Sequence, residues 1–170
     1  MTAAAAAVDP SSDVAVRSLV AQASKRGYAI AYDLLRDRGE AEDAVQDALV
    51  RVIQWLPKLR DPGALEAWFY RTLANGCIRT LRRRRVAHAF ARLVGARGEP
   101  ATEPVGGGDH ARLLAAIDDL PAMQKAALVL RHGHELSVEE VARVLDVGTE
   151  TVKTHLKRAR TRMRERLGVP

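Results

Sequence analysis

The chain has 170 residues with 27 basic and 21 acidic side chains, a formal net charge of +6. That length holds one domain or two small ones, and the charge suits a polyanionic partner, either nucleic acid or an anionic membrane surface. Apolar residues make up 47% of the chain but aromatics only 4%, and alanine is abundant while alternating β-branched runs are nearly absent, so the expected fold class is all-α.

No stretch is long and apolar enough for a transmembrane helix. Met1-Thr2-Ala3 and the alanine run lack a basic leader region and meet Asp9-Pro10 early, which argues against a signal peptide. A single cysteine, Cys77, excludes an intrachain disulfide and fits a reducing cytoplasm. Cys77 itself reads either as a small residue packed in a helix or as a redox-sensing thiol.

In chain order, residues 1–12 are expected to be disordered. Ser12 or Asp13 can cap a first helix reaching about Asp37, with Val16, Leu19, Val20, Ala23, Ile30, Ala31, Leu34 and Leu35 as its buried side. Gly27 inside it is a candidate weak point or kink. A second helix is predicted from Glu40 to Leu56, stopped by Pro57, with Ala44, Val45, Ala48, Leu49, Val52 and Leu56 inward. Its early acidic residues sit at the positive end of the helix dipole. Asp43, Gln46 and Asp47 form an acidic, hydrogen-bonding outer face.

Asp61-Pro62-Gly63 signals a third helix, with Asp61 as cap and Pro62 in the first turn. It carries Leu65, Trp68, Phe69, Thr72 and Leu73, passes Asn75-Gly76, and continues through Ile78 and Leu81. From Tyr70 to Arg97 there is no acidic residue, while Arg71, Arg79, Arg82, Arg83, Arg84, Arg85, Arg92 and Arg97 all lie there. Like charges so concentrated repel unless neutralised, and phosphate is the natural counter-charge. A nuclear-localisation or membrane-surface role for the arginine run remains an alternative.

Gly95 to Asp109, with Pro100, Pro104 and Gly106-Gly107-Gly108, reads as a flexible linker. The predicted organisation is therefore a helical domain over 13–94, a linker over 95–109 and a second helical domain over 110–170. Asp109 is expected to cap the next helix, whose apolar side is Leu113, Leu114, Ile117 and Leu120. Pro121 suits the first turn of another, with Met123, Ala126, Ala127 and Leu130 at helical spacing and Gly133 as stop.

Ser137 followed by Glu140 is a capping box, opening a helix with Val138, Val141, Ala142 and Leu145 as its stripe. After Asp146-Val147-Gly148 comes a last helix with Val152, Leu156, Ala159, Met163 and Leu167 on one side. Its other sides carry seven basic residues against Glu150 and Glu165. Two short helices joined by a tight turn containing glycine, the second strongly basic, read as a helix-turn-helix. Glu150, Thr151, Lys153, Thr154, His155, Lys157 and Arg158 are its outward candidates. A solvated basic helix in an ordinary bundle is the plainer alternative.

These residues resemble the extracytoplasmic-function (ECF, group 4) sigma factors of the sigma-70 family. The likeness rests on "AYDLLRDRGEAEDAVQDAL" from Ala31, "AWFYRTLANGCIRTLRRRR" from Ala67, and the stretch from Leu120 to Leu167. The resemblance implies a non-enzymatic subunit, needing no cofactor or metal, that binds core RNA polymerase and directs initiation at promoter DNA. By position it implies that Glu42, Asp43, Gln46 and Asp47 meet the β′ clamp. Asn75 captures a base of the minus-ten element, with Trp68 as framework aromatic and Arg79, Arg82, Arg83, Arg84 and Arg85 along the strand. Lys153, Thr154, Lys157 and Arg158, with Thr151 and His155 adjacent, read the minus-thirty-five element, while another face docks on the β flap. An anti-sigma partner and a cytoplasmic location are implied by the family alone.

The chain departs from the family pattern in three places. A short helix is expected ahead of the first one and is not apparent in residues 1–12. Arg79 stands where relatives commonly have an acidic residue, and Phe69 where leucine is commoner.

Nothing else in the sequence carries catalytic chemistry. His132-Gly133-His134 reads as a helix end rather than a metal site, and no phosphate loop, nucleophile elbow or paired catalytic carboxylates can be placed. Two further classes stay open: a free-standing helix-turn-helix regulator, for which no dimerisation segment is visible, and a sigma-like mimic that sequesters an anti-sigma factor, which would not require either basic surface.

Overall fold

The computed structural model describes residues 10–55, 64–94 and 108–169, with side-chain surroundings from Val20 onward. Among these, every regular element is helical. Helices α1 (Pro10–Leu35), α2 (Arg38–Trp55) and α3 (Ala64–Leu93) pack on one another as a first lobe. Helices α4 (Asp109–Asp118), α5 (Ala122–Leu128), α6 (Val138–Leu145) and α7 (Thr149–Leu167) build the second, with a π turn over Val129–Gly133 closing α5.

Helix α1 begins at Pro10, slightly ahead of the expected cap, because proline at a first turn gives up no hydrogen bond. Ala23, Ile30, Ala31, Leu34 and Leu35 are buried and Val20 is half-buried, while Val16 and Leu19 lie outside the described side chains. Gly27 does not break α1. A Cβ there would stand 2.8 Å from the Phe69 ring and 3.1 Å from Leu73, so its absence lets α1 and α3 approach closely. The Phe69 ring is accommodated by that missing Cβ.

Helix α2 starts two residues earlier than predicted, because Asp37 is its cap: the Asp37 carboxylate accepts from the Glu40 backbone N–H at 2.8 Å. Ala41, Val45, Ala48 and Val52 form its buried stripe, while Ala44 and Leu49 are only half-buried. The Leu56-Pro57 stop and the Asp61-Pro62 start fall on residues 56–63, outside the described residues. Helix α3 runs unbroken through Asn75-Gly76 for about 45 Å. Leu65, Phe69, Leu73, Ala74, Cys77 and Ile78 are its buried side.

In the second lobe, Gly108 (φ 116°) is the N-cap of α4, and Asp109 is already helical. The expected Asp109 cap is thereby corrected: glycine adopts this backbone conformation readily, and the carboxylate acts from the first turn through the helix dipole. Pro121 is the N-cap of α5 rather than its first helical residue. The capping box of α6 is present in both directions, with the Glu140 N–H donating to Ser137 Oγ at 3.1 Å and the Ser137 N–H donating to Glu140 Oε2 at 2.7 Å. That reciprocal bond holds the Glu140 carboxyl below its ordinary value.

Candidate nucleic-acid interface

The turn between α6 and α7 is made by Asp146, which caps α6 in a left-handed conformation (φ 56°) that aspartate tolerates better than most residues. The Val147 N–H then donates back to the Ala142 carbonyl, and Gly148 opens α7. Val152, Leu156 and Ala159 are buried at helical spacing and seat α7 against α5 and α6. That anchoring turns Thr151, Lys153, Thr154, Lys157 and Arg158 into solvent, as the periodicity predicts. Lys153 pairs with Glu150 at 2.6 Å, and the Thr154 hydroxyl donates to the Glu150 carbonyl at 2.9 Å.

His155 differs from its neighbours. It is half-buried, and burial together with the Arg158 charge pushes its imidazole below the usual range, so it is mostly neutral at pH 7. Further along, Arg166 reaches Asp119 at 2.7 Å and ties α7 to the end of α4.

On α3 the 3.6-residue period aligns Trp68, Arg71, Thr72, Asn75, Arg79 and Arg82 on the side opposite Leu73 and Cys77. Asn75, Arg79, Arg82, Arg83 and Arg85 are exposed. Trp68 stacks on Trp55 with ring centroids 5.5 Å apart and planes within 19°, so it serves as framework for that side of the helix. Arg84 stands apart from them. Its Nε donates to Glu40 at 3.2 Å, another guanidinium nitrogen stands 2.7 Å from the same carboxylate, and a third bond reaches the Leu35 carbonyl at 2.7 Å. Helical geometry places residue 84 toward the inner side of α3, where it closes the corner between α1 and α2 and is only partly exposed.

Glu42, Asp43, Gln46 and Asp47 are all exposed on α2. The same side continues into Val50 and Ile53, which are 52% and 60% exposed. Sequence reasoning overlooked these two. Val50 lies four residues beyond Gln46 and Ile53 three beyond Val50, a helical spacing that was the available signal. Charge is thus segregated by helix: an acidic and apolar face on α2, basic faces on α3 and α7.

Two helical lobes, one carrying a helix-turn-helix and the other a basic helix with an exposed asparagine and an aromatic pair, define a DNA-binding protein. Residues 19–86 match the family model of Sigma-70 region 2, and residues 110–163 that of Sigma-70, region 4. The chain is 29% identical over 145 residues to the RNA polymerase sigma factor SigV of Bacillus subtilis, covering 82% of this chain and 83% of that protein. It is 33% identical over 135 residues to the RNA polymerase sigma-E factor of Streptomyces antibioticus, covering 79% and 74%. The solved sigma factor RpoE of Bartonella quintana, in complex with the anti-sigma factor NepR, superposes with a TM-score of 0.63 at 25% identity, covering 91% of this chain and 97% of that one.

The chain belongs to the extracytoplasmic-function group of the sigma-70 family, a non-enzymatic class that directs promoter recognition by RNA polymerase.

Proposed function

We propose that the two basic helices divide promoter recognition between them, α3 taking an unpaired strand of the minus-ten element and α7 reading the minus-thirty-five element as duplex. The observation that carries this division is the difference in what surrounds each exposed face. Helix α3 offers Asn75 beside arginines and a tryptophan pair, a combination suited to an unstacked base and its flanking phosphates. Helix α7 offers a convex row of Thr151, Lys153, Thr154, Lys157 and Arg158 with no exposed aromatic among them, the form that enters a major groove. Arg79, Arg82, Arg83 and Arg85 follow the strand, and Arg84 is left out of that set because it is held by Glu40 and Leu35. His155 supports the α7 surface from below and adds little charge to it.

Core polymerase is held at two places in this reading. The outer side of α2, from Glu42, Asp43, Gln46 and Asp47 toward Val50 and Ile53, meets the β′ clamp. An open groove of about 590 Å³, walled mainly by Ile117, Leu128, Val129, Met163 and Leu167 of the second lobe and bordered by Asp33 and Arg36 of α1, offers the second lobe's apolar side as the candidate face for the β flap. An anti-sigma factor is a further partner, supported by the superposition on a relative solved with one. No helix among the described residues is long and apolar enough to cross a membrane, in keeping with action in the cytoplasm.

The test mixes the protein with purified core RNA polymerase and fragmented genomic DNA of its source, then maps transcript 5′ ends. Discrete starts sharing two short upstream motifs at fixed spacing are expected. A protein that binds duplex DNA tightly but yields no core complex and no discrete starts would instead be a free-standing regulator.

A further inference from the structure

Helix α3 is covered along only part of its length. Helices α1, α2, α5 and α6 pack on it, Arg71 is tied to Asp146 of the second lobe, and its buried residues end at Ile78. Among the described residues, Arg84 is the last of α3 to hydrogen-bond another helix. The turns from Arg85 to Leu93 then run for about 13 Å with no buried residue.

Four large apolar side chains stand on this free end. Val86 is 70% exposed, Phe90 63%, Leu93 84% and Val94 59%. The Val94 N–H donates to the Phe90 carbonyl at 3.1 Å, so the helical turn carries on to it. At 100° per residue, Val86, Phe90 and Leu93 fall with Asn75, Arg79 and Arg82 in one arc of about 80°. Arg83 and Arg85 border that arc on opposite sides, and Arg92 lies beside Arg85. A contiguous apolar stripe rimmed by charge marks a contact surface, which scattered exposed leucines do not.

The composition of the stripe selects its partner. Valine and leucine neither stack on bases nor hydrogen-bond their edges, so a nucleic-acid strand gains little from them. A second copy of the chain would bring Arg83, Arg85 and Arg92 against their own counterparts, and like charges repel. A stable protein interface draws about 20–30 residues from each side, far more than one convex helix end supplies. An anionic bilayer asks for less. A few apolar side chains enter the acyl boundary while arginines at their borders reach the head groups. Charge agrees: no acidic residue lies between Tyr70 and Arg97, and basic clusters are drawn to anionic leaflets.

We propose that the distal turns of α3 are a reversible docking site for an anionic lipid surface. Val86, Phe90, Leu93 and Val94 enter the head-group boundary, and Arg82, Arg83, Arg85 and Arg92 meet the lipid phosphates. A short apolar anchor and a basic patch are each marginal alone, so the contact needs both.

The test floats the full chain with phosphatidylcholine vesicles that contain either no phosphatidylglycerol or about 40% of it. The wild type is expected to bind the anionic vesicles at least about tenfold more tightly than the neutral ones. The double variant Phe90→Ser, Leu93→Ser is expected to lose about tenfold on anionic vesicles, and Arg83→Ala, Arg85→Ala a similar factor. Phe90→Leu and Phe90→Trp are expected to keep wild-type binding, because acyl chains accept any apolar shape whereas a protein pocket does not. Circular dichroism checks the fold of each variant. If the serine pair unfolds the chain, Leu93→Ser alone, at the most exposed of the four positions, is read by the same measurement.

A wild type that stays out of the vesicle layer, or that binds neutral and anionic vesicles alike, overturns the proposal. A folded serine pair that floats like the wild type also overturns it, leaving the arginines as the whole contact. Loss of floating in Phe90→Leu and Phe90→Trp as well would overturn it in favour of a shape-specific partner. A wild-type dimer in gel filtration that the serine pair returns to monomer would overturn it by giving the stripe to a second copy.

Discussion

Helices α3 and α7 are both strongly basic, yet they earn their exposed charge in different ways. Helix α7 is a short rod seated on a narrow stripe of Val152, Leu156 and Ala159, so nearly everything off that stripe faces solvent. Helix α3 is a longer beam. Its first half is pinned by Phe69, Leu73, Ala74, Cys77 and Ile78, and its arginines are sorted by angle. Arg79, Arg82, Arg83 and Arg85 point out, Arg84 points in, and Arg71 is tied to the other lobe. A run of like charge is therefore not one surface. Its members take different partners according to the 100° step between residues.

The largest effect expected from this contrast concerns the buried seam of α3. Burial pushes the Cys77 thiol up to about 12 from an ordinary 9.0. The folded chain therefore keeps a proton that the unfolded chain gives up between those values. The stabilisation is whole below pH 9 and is lost as pH rises toward 12, by up to about 4 kcal/mol over the full span. Urea unfolding of the wild type at pH 8 and pH 10 is expected to show a steeper fall in stability than that of Cys77→Ala. Equal slopes would mean the seam is open to solvent. The same protonated, enclosed thiol makes Cys77 a packing residue rather than a redox sensor.

Adjacent arginines give the next test. Arg84→Ala should destabilise the fold by about 1 kcal/mol, a figure already reduced for partial exposure of the pair, and leave the salt dependence of single-strand binding unchanged. Arg83→Ala should do the reverse, lowering the slope of log affinity against log salt by about 0.7 with little change in stability. Thermal melts and salt titrations of the two variants, run in parallel, separate an inward from an outward arginine. On α7 the expected differences are smaller. Lys157→Ala should lower the duplex salt slope by about 0.9, whereas His155→Ala should leave it unchanged at pH 7 because that imidazole carries little charge there.

How far the sequence could be read follows from the same contrast. The second lobe was nearly transparent: the Ser137–Glu140 box, the Gly148 turn and the α7 stripe are local signals, and local geometry decided them. The exposed positions on α7 followed from period alone, His155 excepted. In the first lobe the decisive facts are contacts between helices distant in the chain. Gly27 reads as a weakness until Phe69 is seen against it, and Arg84 reads as a phosphate contact until Glu40 and the Leu35 carbonyl are found beside it.

Asp37 was legible but passed over. It sits three residues before Glu40, at the spacing of a cap, although the pattern of α1 also reaches it. The docking of one lobe on the other had no local signature, since Asp146 and Arg71 are 75 residues apart.

If each lobe reads its own promoter element, crossing protein variants with promoter variants tests that division most directly. Transcription would be measured with wild type, Asn75→Ala and Arg158→Ala on templates altered in the upstream motif, the downstream motif or neither. Asn75→Ala is expected to lose initiation by roughly 5- to 150-fold, the equivalent of about 1–3 kcal/mol for a base contact, and to become insensitive to changes in the downstream motif alone. Arg158→Ala is expected to show the same behaviour toward the upstream motif alone. If either variant loses sensitivity to both motifs equally, or to the opposite one, the division of reading between α3 and α7 is wrong.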